Sequence, residues 1–167
     1  MAKINFIVSA LVALIPLALG MLWYSKSLFG NAWMAGAGLT PEDAKTKMNM
    51  PLVFGLTYVY SFLIAISLHF MTIHQFGFDA LLVPEMNHPI SDATIATAKS
   101  LYGDFTTSFR TFRHGAIHGA ITGIFFLLPI IAINGLFEFR GWKYILINAG
   151  YWTICCAIMG ALICQFA

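Results

Sequence analysis

The chain has 167 residues, of which 59% are hydrophobic and only 10% are charged. A typical globular protein is about 25% charged, so these charged groups are too few to cover a water-facing surface around this much apolar side chain. The formal net charge of +2 is small and scattered, so we expect no nucleic-acid partner. With a mean hydropathy of +0.80, the composition predicts a protein whose partner is the lipid bilayer.

Apolar residues are concentrated in four long blocks, and each block supplies the roughly 20 apolar residues that a helix needs to cross a bilayer. Open strands would leave backbone groups unpaired in lipid, so the blocks are predicted to be helices. The predicted fold class is an all-α membrane protein, a four-transmembrane-helix bundle that forms a single domain over residues 1–167. The predicted spans are about 4–25, 51–76, 114–137 and 143–166.

Four spans put both chain ends on one side of the membrane, which is called the terminal side below. Each side carries five positive groups, counting the terminal amine, so the positive-inside rule does not choose an orientation. The first apolar run continues through Trp23 and is longer than a signal-peptide core, so we expect a retained anchor. The third connection is so short that spans three and four must be antiparallel neighbours.

Two connecting segments, about 26–50 and 91–112, are predicted to lie at the membrane interface. In the first, the run from Thr40 to Asp43 is typical of a helix N-terminus and predicts a short helix that ends before Pro51. In the second, Ser91 and Asp92 can cap an additional amphipathic helix between spans two and three. Its apolar face would consist of Ile95, Ala98, Leu101, Tyr102, Phe105, Phe109 and Phe112. An interfacial helix and a cover over the end of the bundle fit this pattern equally well.

Span three carries a stripe of glycines at every fourth residue, formed by Gly115, Gly119 and Gly123. Residues at this spacing share one helix face, and a face of small residues lets a second backbone approach closely. Gly160 belongs to a weaker matching ridge on span four. The stripe fits a contact within the chain or a contact between protomers, and the sequence leaves both open.

Four histidines lie toward the terminal side of the membrane. His69 and His74 are near the end of span two, and His114 and His118 lie one helical turn apart at the start of span three. Ionisable groups in spans are costly and usually face a bundle interior or a cavity. Such imidazoles could bind a metal ion or haem, or pass protons, but they could also be structural histidines bonded to backbone and water. The glutamate of a zinc-protease helix is missing between His114 and His118.

The opposite end of the bundle has a polar cluster, formed by Tyr24, Asn134, Asn148, Glu138 and Arg140. Asn134 and Asn148 flank the short third connection, so a hydrogen bond across this hairpin is expected. Glu138 could pair with Arg140 at headgroup level. We interpret this cluster as structural.

Pro16 and Pro129 lie inside spans one and three, where each removes a backbone hydrogen bond and predicts a kink. Transporters use such breaks to bind substrates, but the internal repeat that usually accompanies them is missing. The cysteines lie in span four without metal-ligand spacing, and the acidic residues are confined to the connections. We therefore expect no enzymatic activity and no cofactor.

Several segments together carry a family resemblance. They are Gly20-Met21-Leu22-Trp23-Tyr24-Ser25, His114-Gly115-Ala116-Ile117-His118-Gly119, Asn134-Gly135-Leu136-Phe137-Glu138 and Ile147-Asn148-Ala149-Gly150-Tyr151-Trp152. Their combination resembles the bacterial membrane family catalogued as domain of unknown function seventeen sixty-one, in a Bacteroidota-like version with a long second connection. The resemblance implies four spans in the bacterial cytoplasmic membrane, and it transfers no catalytic residue.

Our interpretation is a non-enzymatic structural or accessory bundle that packs into a homo-oligomer or a larger membrane complex. Two alternatives stay open. The first is a small transporter, or a conduit for protons or metal ions, that uses the four histidines. The second is a redox subunit that contacts haem or quinone.

Overall fold

The computed structural model describes residues 2–40, 42–43, 46, 49–81 and 89–167, and these residues contain helices and turns but no strand. Among these described residues, four helical segments are long and apolar enough to cross a membrane. They are span one, Phe6–Trp23; span two, Met50–Thr72; span three, Phe112–Phe137; and span four, Trp142–Phe166. The predicted all-α, four-span fold is therefore confirmed. Span two ends earlier than its predicted limit of about residue 76, and a separate short helix, Gln75–Leu81, follows it.

The outer surface of the bundle is apolar. On span one Ile7 is 75% exposed, and on span three Phe125 is 75% exposed. Only 11% of the most apolar window of span three is buried within the chain. Water is a poor solvent for so large an apolar surface, whereas hydrocarbon is a good one. The exposure pattern therefore agrees with a protein surrounded by lipid.

Span four is the centre of the bundle. Of its most apolar window 44% is buried, at least twice the share of any other span. It contacts each of the other three spans. The core around it is formed by Tyr151, Cys155, Cys156, Met159 and Ile163, together with Val12 of span one and Ala65 and Leu68 of span two.

The backbones of spans three and four touch along the glycine stripe. A Cβ atom added at Gly119 would lie 2.6 Å from the carbonyl carbon of Cys156, and one added at Gly160 would lie 2.6 Å from the carbonyl oxygen of Gly115. Gly123 is equally close to span four. No side chain fits between backbones at this separation. The stripe thus makes a contact within the chain, which was one of the two alternatives that the sequence left open.

Span one is interrupted at Pro16. Its two helices, Phe6–Val12 and Ile15–Trp23, are joined by a turn, and Pro16 lies in the first turn of the second helix. Proline has no backbone N–H and clashes with the preceding turn, which accounts for the break. The Tyr151 hydroxyl on span four donates to the carbonyl oxygen of Pro16 at 2.6 Å. This hydrogen bond joins the break in span one to span four.

Span three is interrupted before Pro129. An α-helix, Phe112–Thr122, leads into a π-helical segment, Gly123–Leu127, and a second α-helix, Leu128–Phe137, follows. The Leu128 N–H donates to the carbonyl oxygen of Gly123, five residues back, and this wider turn directly precedes Pro129, which has no N–H to donate. Both prolines thus coincide with a break in the regular α-helix.

The connection between spans one and two begins with a short helix, Gly30–Ala37, that packs against span four. A helix N-cap follows it. The Thr40 N–H donates to Asp43 Oδ2 at 2.8 Å, and the Asp43 N–H donates to Thr40 Oγ1 at 3.2 Å. The helix predicted to start at this cap would include residues 41, 44–45 and 47–48, and this part of the prediction lies outside the described residues.

The helix predicted in the second connection is present as Asp92–Phe105. Ser91 caps it, with its Oγ accepting the Thr94 N–H at 3.2 Å. The helix ends at Phe105 and does not continue to residue 112 as predicted, because Phe109 takes a positive φ of 62°. Its position in the membrane interface stays a prediction.

The break after this helix is held by distant residues. Gln75 Nε2 donates to the carbonyl oxygens of Phe105 at 2.7 Å and Ser108 at 3.1 Å. Arg110 Nε donates to the carbonyl oxygen of Cys164 at 2.8 Å. These bonds satisfy carbonyl groups at the C-terminal ends of the helix Asp92–Phe105 and of span four. They hold the second connection against the terminal end of the bundle.

We predict that Gly119→Ile lowers the thermal stability of the protein without changing its oligomeric state. The added side chain would collide with the span-four backbone, and overpacking of this kind costs about 1–3 kcal/mol. Gly55→Ile is the matched control, because a Cβ atom at Gly55 of span two meets nothing within 4 Å. Thermal unfolding and light scattering in mild detergent measure both properties. Equal melting temperatures for the two variants would contradict the described helix contact.

Candidate metal centre

Three of the four predicted histidines meet at the terminal end of the bundle. His74, His114 and His118 each offer one ring nitrogen, and these three atoms lie within 4.8 Å of one another. The ring centroids of His114 and His118 are 4.4 Å apart, and that of His74 lies 4.8 Å and 5.0 Å from them. We call these three residues the histidine cluster.

Two separate elements supply the histidine cluster. His114 and His118 share one face of span three because they are one helical turn apart. Each of them immediately precedes a glycine of the stripe, so the contact with span four sets the direction of their face. His74 comes from the turn after span two. Buried Ile73 leaves the helix with φ −112° and ψ 100°, and this change of direction brings His74 toward span three.

The cluster lies at the border between solvent and protein. His74 is exposed, whereas His114 and His118 are half-buried. His114 Nε2 is buried and has no hydrogen-bond partner. A buried ring nitrogen without a partner is costly, and a neutral imidazole nitrogen is a good metal ligand. Among the described residues, no carboxylate or thiol joins the cluster.

Phe109 covers one edge of the cluster. Its ring centroid lies 5.2 Å from that of His114 and 6.0 Å from that of His74. A positive φ is unfavourable for a bulky residue, so the surroundings must hold it in place. One such contact is the Cys164 thiol, which donates to the Phe109 carbonyl oxygen at 3.3 Å. This role of Phe109 could not be predicted from the sequence, because the apolar spacing places Phe109 on the face of a continuous amphipathic helix.

His69 is not part of the cluster. It is fully buried on span two, where Nδ1 donates to the carbonyl oxygen of Ala65 at 2.9 Å. Its Nε2 accepts the backbone N–H of Asn5 at 3.3 Å. Both ring nitrogens therefore have partners: Nδ1 bonds within span two, and Nε2 joins span two to the residue that caps span one. The four-histidine cluster expected from the sequence becomes a cluster of three and a structural histidine.

At the opposite end, Asn148 is the centre of a polar network. Its Oδ1 accepts from the Tyr24 hydroxyl at 3.0 Å and from Trp33 Nε1 at 3.2 Å, while its Nδ2 donates to the carbonyl oxygen of Tyr144 at 2.8 Å. Burial raises the pKa of Tyr24, so the hydroxyl stays protonated and able to donate. The network joins the first connection to span four and leaves these groups satisfied.

Asn134 is not part of this network. Its side chain is exposed and makes no hydrogen bond with Asn148 among the described contacts, so the expected bond across the hairpin is not formed. The neighbouring Gly135 faces span four so closely that a Cβ atom there would lie 2.7 Å from Ile145 Cγ1. Because adjacent helix residues diverge by about 100°, Asn134 is turned away from the hairpin interior.

Arg140 contacts both its neighbour in sequence and a distant helix end. Its Nε lies 3.4 Å from Glu138 Oε2, in an ion pair of partly exposed side chains that contributes little stability. Its Nη1 donates to the carbonyl oxygens of Ala37 at 2.7 Å and Gly36 at 3.3 Å. Arg140 thus caps the C-terminus of the helix Gly30–Ala37.

Fold and cluster together define a four-span helical membrane protein with three imidazoles gathered at one end. The chain belongs to the family described as "Protein of unknown function (DUF1761)", whose profile matches residues 7–164. This finding confirms the resemblance noted from the sequence. Searches of curated proteins and of solved structures returned no match to the chain.

We predict that His69→Ala destabilises the protein, because the half-buried Asn5 N–H would lose its only side-chain acceptor among the described residues and a fully buried imidazole would be removed from span two. Leaving buried groups unpaired costs about 1–3 kcal/mol. Thermal unfolding in detergent measures the effect. Ser67→Ala is the control, because the exposed Ser67 hydroxyl bonds only to the carbonyl oxygen of Leu63 in its own helix. A melting temperature for His69→Ala equal to that of the control would show that the bond between spans one and two adds no stability.

Proposed function

We propose that this protein is a non-enzymatic accessory protein of the bacterial cytoplasmic membrane that binds one divalent transition-metal ion through His74, His114 and His118. The observation that carries the proposal is the mutual distance of the three ring nitrogens, 4.8 Å or less. Zinc binds imidazole nitrogens at about 2.0–2.1 Å, so ligands of a tetrahedral ion lie about 3.3 Å apart. Small side-chain rotations, chiefly of the exposed His74, would close the remaining gap.

The ligand chemistry favours a particular group of metals. Imidazole suits Zn²⁺, Cu²⁺, Ni²⁺ and Fe²⁺, whereas Mg²⁺ and Ca²⁺ prefer oxygen ligands. Three protein ligands leave a fourth position for water or for a ligand from solution. The buried and unpartnered Nε2 of His114 supports this assignment, because a metal ion would give that atom the partner it lacks.

A bound metal ion would stabilise the contact between the end of span two and the start of span three. His74 follows span two, while His114 and His118 belong to span three, so one ion would cross-link the two elements. The free energy of metal binding would then add to that of folding, because the ligands are not gathered in the unfolded chain. We therefore propose a metal-dependent scaffold. Its assembly into a homo-oligomer or a larger complex would use surfaces other than the glycine stripe, which is occupied within the chain.

The conduit alternative finds less support. A crevice of about 200 Å³ between spans two and three is lined mainly by apolar side chains, among them Leu63, Leu68, Met71, Phe126 and Leu127. The two hydroxyls that line it bond to their own helices: Ser67 to the carbonyl oxygen of Leu63 and Thr122 to that of His118. A cation path needs polar groups to replace its hydration shell. Binding without passage fits this lining better.

The haem alternative also finds less support. Axial haem ligation by two histidines needs imidazoles that oppose each other across the macrocycle. The centroids of the cluster instead lie within 5.0 Å of one another and converge on one region. Such an arrangement favours a single small ion.

Metal binding by the purified full chain tests the proposal. We expect one Zn²⁺ or Co²⁺ ion per chain, measured by elemental mass spectrometry after removal of loosely bound ions. His114→Ala or His118→Ala should weaken zinc binding in titration calorimetry by more than the 10–100-fold that is typical when a residue that only orients a ligand is changed, because each variant removes a ligand itself. The control is Ser67→Ala, because the exposed Ser67 hydroxyl lies outside the cluster and bonds only to the carbonyl oxygen of Leu63 in its own helix. Unchanged stoichiometry in the His74/His114/His118 triple alanine variant would overturn the proposal.

A further inference from the structure

A second candidate site lies at the terminal end of the bundle. It is a cavity of about 640 Å³ between the first residues of the chain, the second connection and the end of span four. The polar residues that line it are Lys3, Asn5, Gln75, Tyr102, Thr106 and Arg110. None of these side chains belongs to the histidine cluster, so the inference below does not rest on the proposed function.

The position of the cavity corresponds to the headgroup level of a bilayer. Lys3 stands three residues before span one begins at Phe6, and Arg110 stands two residues before span three begins at Phe112. Ala167, which also lines the cavity, directly follows span four. Since three spans end here, the hydrocarbon layer gives way to headgroups at this level.

Two cations line the cavity. Lys3 is exposed and Arg110 is half-buried, and neither forms an ion pair with a side-chain carboxylate in the part of the chain that the structure describes. Arg110 is fixed in place by its bonds to the carbonyl oxygens of Cys164 and Ala167. The Asp79 carboxylate lies near Tyr102 but is not among the residues that line the cavity; its Oδ2 accepts the Ala2 N–H at 2.5 Å, and its Oδ1 is buried without a partner. The lining therefore favours an anion.

Gln75, one of the residues that line the cavity, has a side-chain amide of fixed orientation. Gln75 is only 7% exposed, and its Nε2 is committed to the carbonyl oxygens of Phe105 and Ser108. These bonds define the orientation of the amide, and they leave Oε1 buried without a partner. A hydroxyl group of a ligand would satisfy this atom.

The rim of the cavity on span one is apolar. Phe6 is 60% exposed and Ile7 is 75% exposed, and both line the cavity and face outward. A ligand that fits must therefore combine a negative charge and hydroxyl groups with a long apolar part.

We propose that this cavity binds an anionic phospholipid of the phosphatidylglycerol type. Its phosphate would lie between Lys3 and Arg110, a glycerol hydroxyl would donate to Gln75 Oε1, and its acyl chains would follow Phe6 and Ile7. Arginine and lysine are common phosphate ligands in proteins, and basic residues at a membrane surface attract anionic lipids.

Native mass spectrometry of the full chain, released from mixed phosphatidylglycerol and phosphatidylcholine vesicles, tests the proposal. We expect wild-type protein to retain phosphatidylglycerol at least about fivefold over phosphatidylcholine. Lys3→Glu should abolish this preference, and it should not disturb folding because Lys3 is exposed and has no ion-pair partner among the described residues. Lys26→Glu, an equally exposed lysine at the opposite end of span one, is the matched control and should keep the preference.

Four outcomes would overturn the proposal. Equal retention of the two lipids by wild type, or an unchanged preference in Lys3→Glu, would show that the cavity does not select the anionic lipid. A stronger preference for phosphatidylethanolamine in a parallel mixture would show that the headgroup is zwitterionic. Displacement of the lipid by an equal concentration of free glycerol phosphate would show that the cavity takes a soluble phosphate.

Discussion

The backbone contact between spans three and four is the constraint on which the rest of the bundle depends. Lipid chains are as apolar as the side chains of the spans, so no hydrophobic effect drives the helices together and close packing must do so. Three glycines on span three remove the side chains from this contact and let the helix reach the backbone of Cys156. Span four, fixed in this way, supplies the surface on which spans one and two pack.

The contact between spans three and four also orients two of the three histidines of the histidine cluster. His114 and His118 precede glycines of the stripe, so their shared face has a fixed direction. His74 is set from the other side, between buried Ile73 and the buried amide of Gln75, which is bonded to the second connection. Packing thus brings three imidazoles together, and their ring nitrogens form no hydrogen bonds with one another among the described contacts. Preorganisation of this kind is what a metal site requires from its scaffold.

The spans could be predicted because bilayer thickness sets their length, and the pairing of His114 with His118 follows from helical spacing alone. The separation of His69 from His74 could not be predicted in this way. It depends on whether the helix continues past Thr72, and the departure of Ile73 from helical geometry is decided by its burial against other elements. The break at Phe109 likewise depends on bonds from residues far away in the sequence. The spacing of apolar residues predicts that a helix forms. The residue at which that helix ends depends on contacts with other elements of the bundle, which the spacing does not show.

X-ray absorption spectroscopy of the zinc-loaded full chain is the most direct test of whether imidazoles from two elements bind one metal ion. We expect three imidazole nitrogens at about 2.0–2.1 Å from the zinc ion and one further light-atom ligand. His74→Ala should reduce the imidazole shell to two, since His74 is the ligand from beyond span two. Zinc ligands that are all oxygen atoms, or that include sulfur, would contradict binding by the histidine cluster.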